Sequence, residues 1–237
     1  MAPHMMAARG IDKSDYGLIQ YAAAGCGEFI VAFLAEEPVN LDAQLGEFSA
    51  VHSPWPMARL VPVRRREQEF ECNWKLFLDT FNEYCHLAFD HPNSIDSIYR
   101  APEAVDRTKG TFATQFGKPK ARAVLLESDQ DQALPDMPCR KNVAKQGACC
   151  TWAFPNMTLA ANRDEFWCHE AHPMGAQRCN IAQTACFQSE AVALADFEDR
   201  SCAYLDHIVG RFQDGDQRRV ERHPSWLARA CAPIDCT

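Results

Sequence analysis

Between residues 148 and 189 the chain is a succession of β-forming runs separated by turn residues, and this stretch narrows the architecture more than any other. Residues 149–160 (CCTWAFPNMTLA), 165–173 (EFWCHEAHP) and 178–189 are rich in aromatic and apolar residues and are broken by Asn, Gly and Pro clusters. They predict three successive strands joined by turns, an antiparallel meander. Beyond residue 189 the period changes. Leu194, Cys202, Leu205, Ile208, Val209 and Phe212 fit a helix over 190–212 with one buried stripe, ended by Gly215.

The remaining segments are more broken. Residues 1–15 look like a loose start, followed by Tyr16 to Tyr21, a turn around Gly25 to Gly27 and a β-forming run over 29–34. A short helix is expected at 41–45, then a connector punctuated by Pro54, Pro56 and Pro62 into a strand over 60–72. From 93 to 147 Gly110, Gly117, Pro119, Pro135, Pro138 and Gly147 break any long element. Within it residues 111–116 and 121–127 are expected to pair as strands, and 128–146 reads as a long mobile loop acting as a lid or a partner contact. A short helix over 226–230 closes the chain, and no internal repeat is present.

With 237 residues the chain has room for one large domain. A net charge of −8 argues against a nucleic-acid partner, because phosphate binding needs a basic surface. Arg64-Arg65-Arg66 is followed at once by Glu67, Glu69 and Glu71, and reads as a solvated strand or a docking patch for an acidic partner. No run of 18 apolar residues spans a membrane, and residues 1–10 lack the apolar core of a signal peptide, so the expected location is the cytoplasm. In that compartment the 12 cysteines are expected as free thiols.

The stretch that carries chemistry runs from Asn73 to Pro92. It reads as a short helix with Asp79, Glu83 and His86 at i, i+4 and i+7, two carboxylates and an imidazole on one face. Pro92 pushes His91 out of helical conformation, so the helix is expected to end near His91 and the bend to swing that ring back toward His86. Two imidazoles then share one metal; the alternative is a pair of ordinary histidines, one at a helix C-terminus and one hydrogen-bonded in the core. His169 and His172 make a competing pair. On a strand, residues three apart face opposite sides, which argues against joint ligation.

Asn73-Trp74-Lys75, the amphipathic run, Glu83, His86 and His91-Pro92 together resemble the mononuclear-iron motif in the catalytic subunit of the Rieske non-haem iron oxygenases. The resemblance implies that His86 and His91 are iron ligands and that Glu83 connects the iron to the electron donor across a subunit boundary. One departure is visible: family members usually place an aromatic residue immediately before the first histidine, where this chain has Cys85, with Tyr84 one position earlier. The Phe-Pro-Asn run and the strands after it resemble the same catalytic domain. The implied fold is α+β, a curved antiparallel sheet around a long C-terminal helix in a helix-grip (START-like) arrangement, over residues 61–237.

The family draws its third ligand, a carboxylate, from an acidic pair near the first turn of the C-terminal helix. Here the match is Glu198-Asp199, and the resemblance selects Asp199. The helical wheel places Glu198 nearer the apolar stripe, so Glu198 and Asp206 stay open as alternatives.

Residues 1–60 resemble the tail of a Rieske domain without its cluster ligands. A Rieske [2Fe–2S] centre needs two Cys and two His, which the family supplies as Cys-x-His and Cys-x2-His, and neither half is present. The resemblance therefore implies Fe(II) as cofactor, no [2Fe–2S] cluster of the chain's own, electrons from a separate Rieske/reductase protein, and a full-length oxygenase sister subunit in a trimer-based hetero-oligomer. The expected reaction is O2-dependent hydroxylation of a C–H bond in a small apolar or aromatic substrate, with Phe81, Phe89, Trp152, Phe154 and Phe187 as candidate pocket walls. In layout the chain is similar to a Rieske-less family member that removes the N7 methyl of 7-methylxanthine, which adds methylxanthine N-demethylation as a specific expectation. Two other readings remain: a non-catalytic scaffold subunit, and a zinc hydrolase using the same ligands.

Overall fold

The computed structural model describes residues 17–26, 29–35, 40–84, 86–91, 96, 109–120, 125–138 and 146–206, without the side chains of Ala88 and Asp90. Two compact units divide the chain, residues 1–41 and 42–237. The first contains an antiparallel hairpin of β1 (Ala22–Cys26) and β2 (Phe29–Phe33), in register from Cys26↔Phe29 to Ala22↔Phe33. The paired strand is thus Ala22–Cys26 rather than the residues before Tyr21, because the pairing of Cys26 with Phe29 sets Ala22–Cys26 opposite Phe29–Phe33.

In the second unit, α1 (Leu41–Leu45) and α2 (Phe48–His52) precede β3 (Leu60–Phe70). Next come α3 (Trp74–Asn82), the single turn α4 (Leu87–Asp90) and β4 (Phe112–Gly117). Four strands then come in succession, β5 (Ala148–Ala153), β6 (Met157–Ala161), β7 (Phe166–Gly175) and β8 (Arg178–Gln188), before α5 (Ser189–Val192) and α6 (Phe197–Leu205). The six strands of this unit form one open antiparallel sheet in the order β3-β8-β7-β6-β5-β4. The strand reached first in sequence therefore lies at one edge, beside the last.

Side chains alternate between the two faces of the sheet. One face carries Ala160, Trp167, Ala171, Ile181, Ala185 and Phe187, all buried. α3 lies across β4 to β8 on this face and lays Phe77 and Leu78 against Phe70, Ala171, Cys179 and Ile181. The helix starts at Asn73, whose side chain accepts the Lys75 N–H at 3.0 Å and satisfies an otherwise orphaned donor. α6 adds Phe197, Tyr204 and Leu205 over Ala185 and Phe187, together with Leu125, Ala133 and Leu134. The opposite face is covered at β4 and β5 by α2: the Phe48 ring meets Phe112 edge-on, and His52 Nε2 meets Thr151 Oγ1 at 2.9 Å. Trp55 donates to the carbonyl of Asn162 at 2.9 Å. Phe48, His52 and Trp55 thus pack residues 48–55 on the sheet.

α1 is tied to the start of β4 where Gly46 and Gly110 face each other. Both have positive φ, and a Cβ on either would come within 2.3 Å or 2.1 Å of a backbone carbonyl oxygen.

Several sequence expectations need correction. The run 149–160 is two strands, because the Phe154-Pro155-Asn156 turn reverses the chain so that Ala153 pairs with Met157; Pro155 has no N–H with which to continue a ladder. Residues 121–124 of the expected strand 121–127 lie outside the described residues, and 125–127 are not a strand. The expected mobile loop is, over 127–138, a 3₁₀ turn (Glu127–Gln132) followed by buried Ala133, Leu134 and Met137. Its backbone is held by the protein: Met137 N donates to Arg163 O at 2.9 Å and Pro135 O accepts from Gln188 Nε2 at 2.9 Å. The helix expected over 190–212 is interrupted at 193–196 and reads as α5 and α6; residues 207–212 and the expected helix 226–230 lie outside the described residues.

Candidate metal centre

α3 hands the chain to the histidine motif, but as a break and not as one long helix. Glu83 leaves helical conformation (φ −104°, ψ 148°) while its N–H still donates to Asp79 O at 3.1 Å. The face Asp79, Glu83, His86 expected from helical spacing therefore does not form, and Asp79 is exposed. A local clamp takes its place. Glu83 Oε2 accepts from the His86 backbone N–H at 3.2 Å, and Glu83 Oε1 lies 2.5 Å from His86 Nδ1. The carboxylate thus takes a backbone donor just beyond the helix end.

α4 then carries the chain from His86 to His91 in one turn, with Phe89 N donating to His86 O at 2.9 Å and His91 N to Leu87 O at 3.0 Å. His91 ends it just before Pro92, as the pre-proline position requires. Both imidazoles are buried, 5% and 3% exposed, and their rings meet edge to face with centroids 5.3 Å apart. Two imidazoles bonded to one ion at about 2.1 Å per nitrogen have centroids roughly 4.5–5.5 Å apart, so the pair fits a shared metal. The Glu83 carboxylate on Nδ1 of His86 leaves Nε2 as the ligating nitrogen, the usual arrangement by which a carboxylate orients a metal-bound imidazole. The Glu83 side chain is 30% exposed, and so links a buried ring to the surface.

The three residues Glu83, His86 and His91 are thus brought together. Among the described residues no three His, Cys, Asp or Glu side chains converge closely enough to hold an ion. Glu198, Asp199 and Asp206 are all exposed on or at the end of α6. The buried stripe of that helix is Phe197, Ser201, Tyr204 and Leu205, with Cys202 outside it, and Asp199 stands about half a turn round from its middle. Of the candidate pocket aromatics, Phe81 packs against Trp167 and His169, Trp152 is half-buried, Phe89 and Phe154 are exposed, and Phe187 is core. His172 is exposed beside Glu170 while His169 is buried, which puts the two on opposite faces of β7.

Two polar groups of the core had no signal in the sequence. Thr158, His169 and Gln183 occupy one cross-strand row on β6, β7 and β8, all buried. Finding such a row requires the register of three strands. The second is the turn between β6 and β7, where Asp164 and Glu165 are buried together and the Tyr204 hydroxyl donates to Asp164 Oδ2 at 2.5 Å. Burial pushes the Asp164 carboxyl up to about 6, and burial with Asp164 alongside pushes Glu165 well above the ordinary carboxylate range.

An antiparallel sheet gripping helices, with two buried histidines on a broken helix, defines an α+β domain of the helix-grip type. The family model of the ring hydroxylating alpha subunit (catalytic domain) matches residues 57–223, and the chain belongs to that family, the catalytic domains of the Rieske oxygenases. Among solved structures it is similar to a quaternary ammonium Rieske monooxygenase, CntA, at 15% identity and a TM-score of 0.72, over 96% of this chain and 57% of that one. It is also similar to naphthalene 1,2-dioxygenase from Rhodococcus sp., at 18% identity and a TM-score of 0.70, over 96% and 59%. The chain thus spans 57–59% of the length of these two proteins. These likenesses establish the curved, open α+β sheet of the helix-grip fold. No curated protein matches the chain.

Proposed function

We propose that this chain is the iron-bearing oxygenase component of a Rieske-type system, hydroxylating a C–H bond of a small substrate. The observation that carries the reading is the buried edge-to-face pair His86 and His91 with Glu83 on His86 Nδ1. In this reading His86 and His91 hold Fe(II), and Asp199 supplies the carboxylate. Two His and one carboxylate on one side of iron leave positions for dioxygen and substrate, and the bound iron supplies the oxygen activation. The chain's own residues do the rest. Glu83 fixes the ring of His86 and offers a path from the surface to the buried imidazole, and the helix-facing side of the sheet excludes water.

Electrons come from a Rieske centre carried outside the residues of this chain, on a separate donor or on a full-length sister subunit in a trimer-based assembly. One of the matched CntA structures is described in terms of inter-subunit electron transfer in that protein, which supports such a route here. The cytoplasm is the proposed location; no helix among the described residues is long and apolar enough to cross a membrane. Oxidative N-demethylation of a methylxanthine is the specific reaction proposed, on the resemblance in layout alone. The matched enzymes are described with L-carnitine and with indole.

Anaerobic Fe(II) titration of the purified chain tests the reading. One ion per chain is expected, with His86→Ala losing it while the far-ultraviolet spectrum is unchanged. Asp199→Ala should also lose it; a variant that binds iron like the parent transfers the role to Glu198 or Asp206. A parent chain that binds no iron supports a scaffold subunit instead, and activity with zinc in the absence of O2 supports a hydrolase.

A further inference from the structure

Two cysteines meet where β3 ends and α3 begins. Phe70 and Cys179 are the last pair of the β3–β8 ladder, and Cys72 lies two residues further on, next to Asn73, the cap of α3. Cys72 and Cys179 are 107 residues apart in sequence, yet their Sγ atoms lie 3.9 Å apart and share a hydrogen bond. Both are buried, 1% and 0% exposed, in the cluster that seats Phe77 and Leu78 against Phe70, Ala171 and Ile181. The chain returns to the surface on either side of them. Glu71 and Arg178, the residues just before each cysteine, are exposed, as is the turn at 175–178. Asn73 Nδ2 donates to Ala176 O at 2.8 Å and so ties the start of α3 to that turn.

A disulfide bond is about 2.05 Å long, so closing this pair needs an approach of about 1.9 Å. Cys179 is held in the ladder, whereas Cys72 stands beyond it, in the bend before the helix, and can supply the movement. The chemistry of the two thiols also differs from that of the other buried ones. Burial pushes Cys149 up, and pushes Cys150, Cys168 and Cys186 up to about 12, about 12 and about 11, which keeps them protonated and unreactive. Cys179 moves the other way, below the ordinary thiol value, because the Cys72 thiol donates to it. The pair therefore joins a nucleophilic sulfur to a second thiol within reach of it.

We infer that Cys72 and Cys179 form a redox modification site, a dithiol that a hydroperoxide such as hydrogen peroxide converts to a disulfide linking the start of α3 to β8. The Cys179 thiolate attacks one peroxide oxygen, the O–O bond breaks, and Cys179 becomes a sulfenic acid as hydroxide leaves. The Cys72 sulfur then attacks the Cys179 sulfur. The S–S bond forms, the S–O bond breaks, and the oxygen departs as water with the Cys72 proton. In all, two thiols lose two electrons and two protons, and the peroxide is reduced to two molecules of water. A thiol reductant reverses the bond by exchange. In a reducing compartment such a pair rests as thiols and closes only when oxidant appears, which is how sensing cysteines behave. The site stands independently of the oxygenase reading.

The test treats the full chain with hydrogen peroxide under native conditions, blocks the remaining thiols with iodoacetamide and maps tryptic peptides without reduction. A crosslink between peptides 67–75 and 179–200 is expected, with fragmentation placing it on Cys179 and not on Cys186, and dithiothreitol should release it. The link should form roughly tenfold or more faster than peroxide modifies Cys150, Cys168 or Cys186. In Cys72→Ala the link should be absent and Cys179 should remain a sulfenic acid that dimedone traps. A bond from Cys179 to any other cysteine, modification of Cys150, Cys168 or Cys186 at a rate equal to that of the link, or a link that forms only in urea would each overturn the inference. The peptide map of the parent needs no variant to fold.

Discussion

Replacing Tyr204 by phenylalanine removes one oxygen atom from the centre of the fold. That oxygen donates to Asp164 Oδ2 at 2.5 Å and accepts from the Leu134 backbone N–H at 2.9 Å, so it joins α6, the turn between β6 and β7 and the segment after the 3₁₀ turn. A hydrogen bond to an ionised group contributes about 1.5–3 kcal/mol, and a buried N–H left unpaired costs about 1–3 kcal/mol, so a loss of about 3 kcal/mol is expected at pH 7.5. The loss should depend on pH. Burial raises the Asp164 carboxyl from 3.8 to about 6 in the folded chain. A raised carboxyl contributes stability that is complete below about pH 3.8 and is lost as pH rises through about 6, a difference of about 3 kcal/mol. At pH 5 Asp164 is mostly protonated, and the tyrosine then donates to a neutral group. The variant should therefore cost about 2 kcal/mol at pH 5, since the charge-assisted part of the bond is gone while the Leu134 N–H is still left unpaired. Urea unfolding of parent and variant at both pH values measures the difference, and other titrating groups cancel between them. Equal destabilisation at pH 5 and 7.5 would refute the ionised, buried Asp164 on which the reasoning rests.

Asp164→Asn keeps an acceptor for Tyr204 and removes the buried charge, so it should flatten the rise of stability on acidification between pH 7 and 5; an unchanged slope counts against the assignment. Leu134→Ala, at a fully buried position, should lower unfolding free energy by about 2–5 kcal/mol, whereas a mobile loop would register almost nothing in the urea midpoint. Glu83→Gln should leave the iron stoichiometry near that of the parent while slowing single-turnover reduction by an external Rieske donor at least tenfold, about 1.4 kcal/mol in the barrier. Equal loss of both would make Glu83 a structural clamp only.

Much of this fold is legible without coordinates because its signals are local. The strand β3, the helix start at Asn73, the short helix Leu41–Leu45 and the strands β7 and β8 fall where alternation, capping and turn residues put them. The approach of His91 to His86 also comes from a local rule, the constraint that Pro92 places on the residue before it. What was not legible depends on partners distant in sequence or on competition between nearby groups. The helix opens at Glu83 because a carboxylate finds the His86 N–H and ring, which spacing alone does not reveal. Residues 127–138 look polar and broken, yet Leu134 is drawn into the core by Tyr204, 70 residues away. Asn162-Arg163-Asp164-Glu165 is a polar run with no local sign of burial, and its burial is set by Tyr204 of α6 and by Trp55. The acidic end of α6 shows the limit from the other side: a dipole-favoured N-terminus and a ligand-bearing turn have the same composition, and Asp199 is exposed.

The outer strand β3 carries Pro62 with a shift of register before Arg64, then Arg64-Arg65-Arg66 followed by Glu67 and Glu69. Such a margin resists templating a strand from another molecule, because a missing donor, a local kink and a row of charges each spoil the ladder. Copies of this chain are thereby protected from zipping together into a continuous ribbon, and their association is left to side-chain surfaces, where geometry and stoichiometry are set.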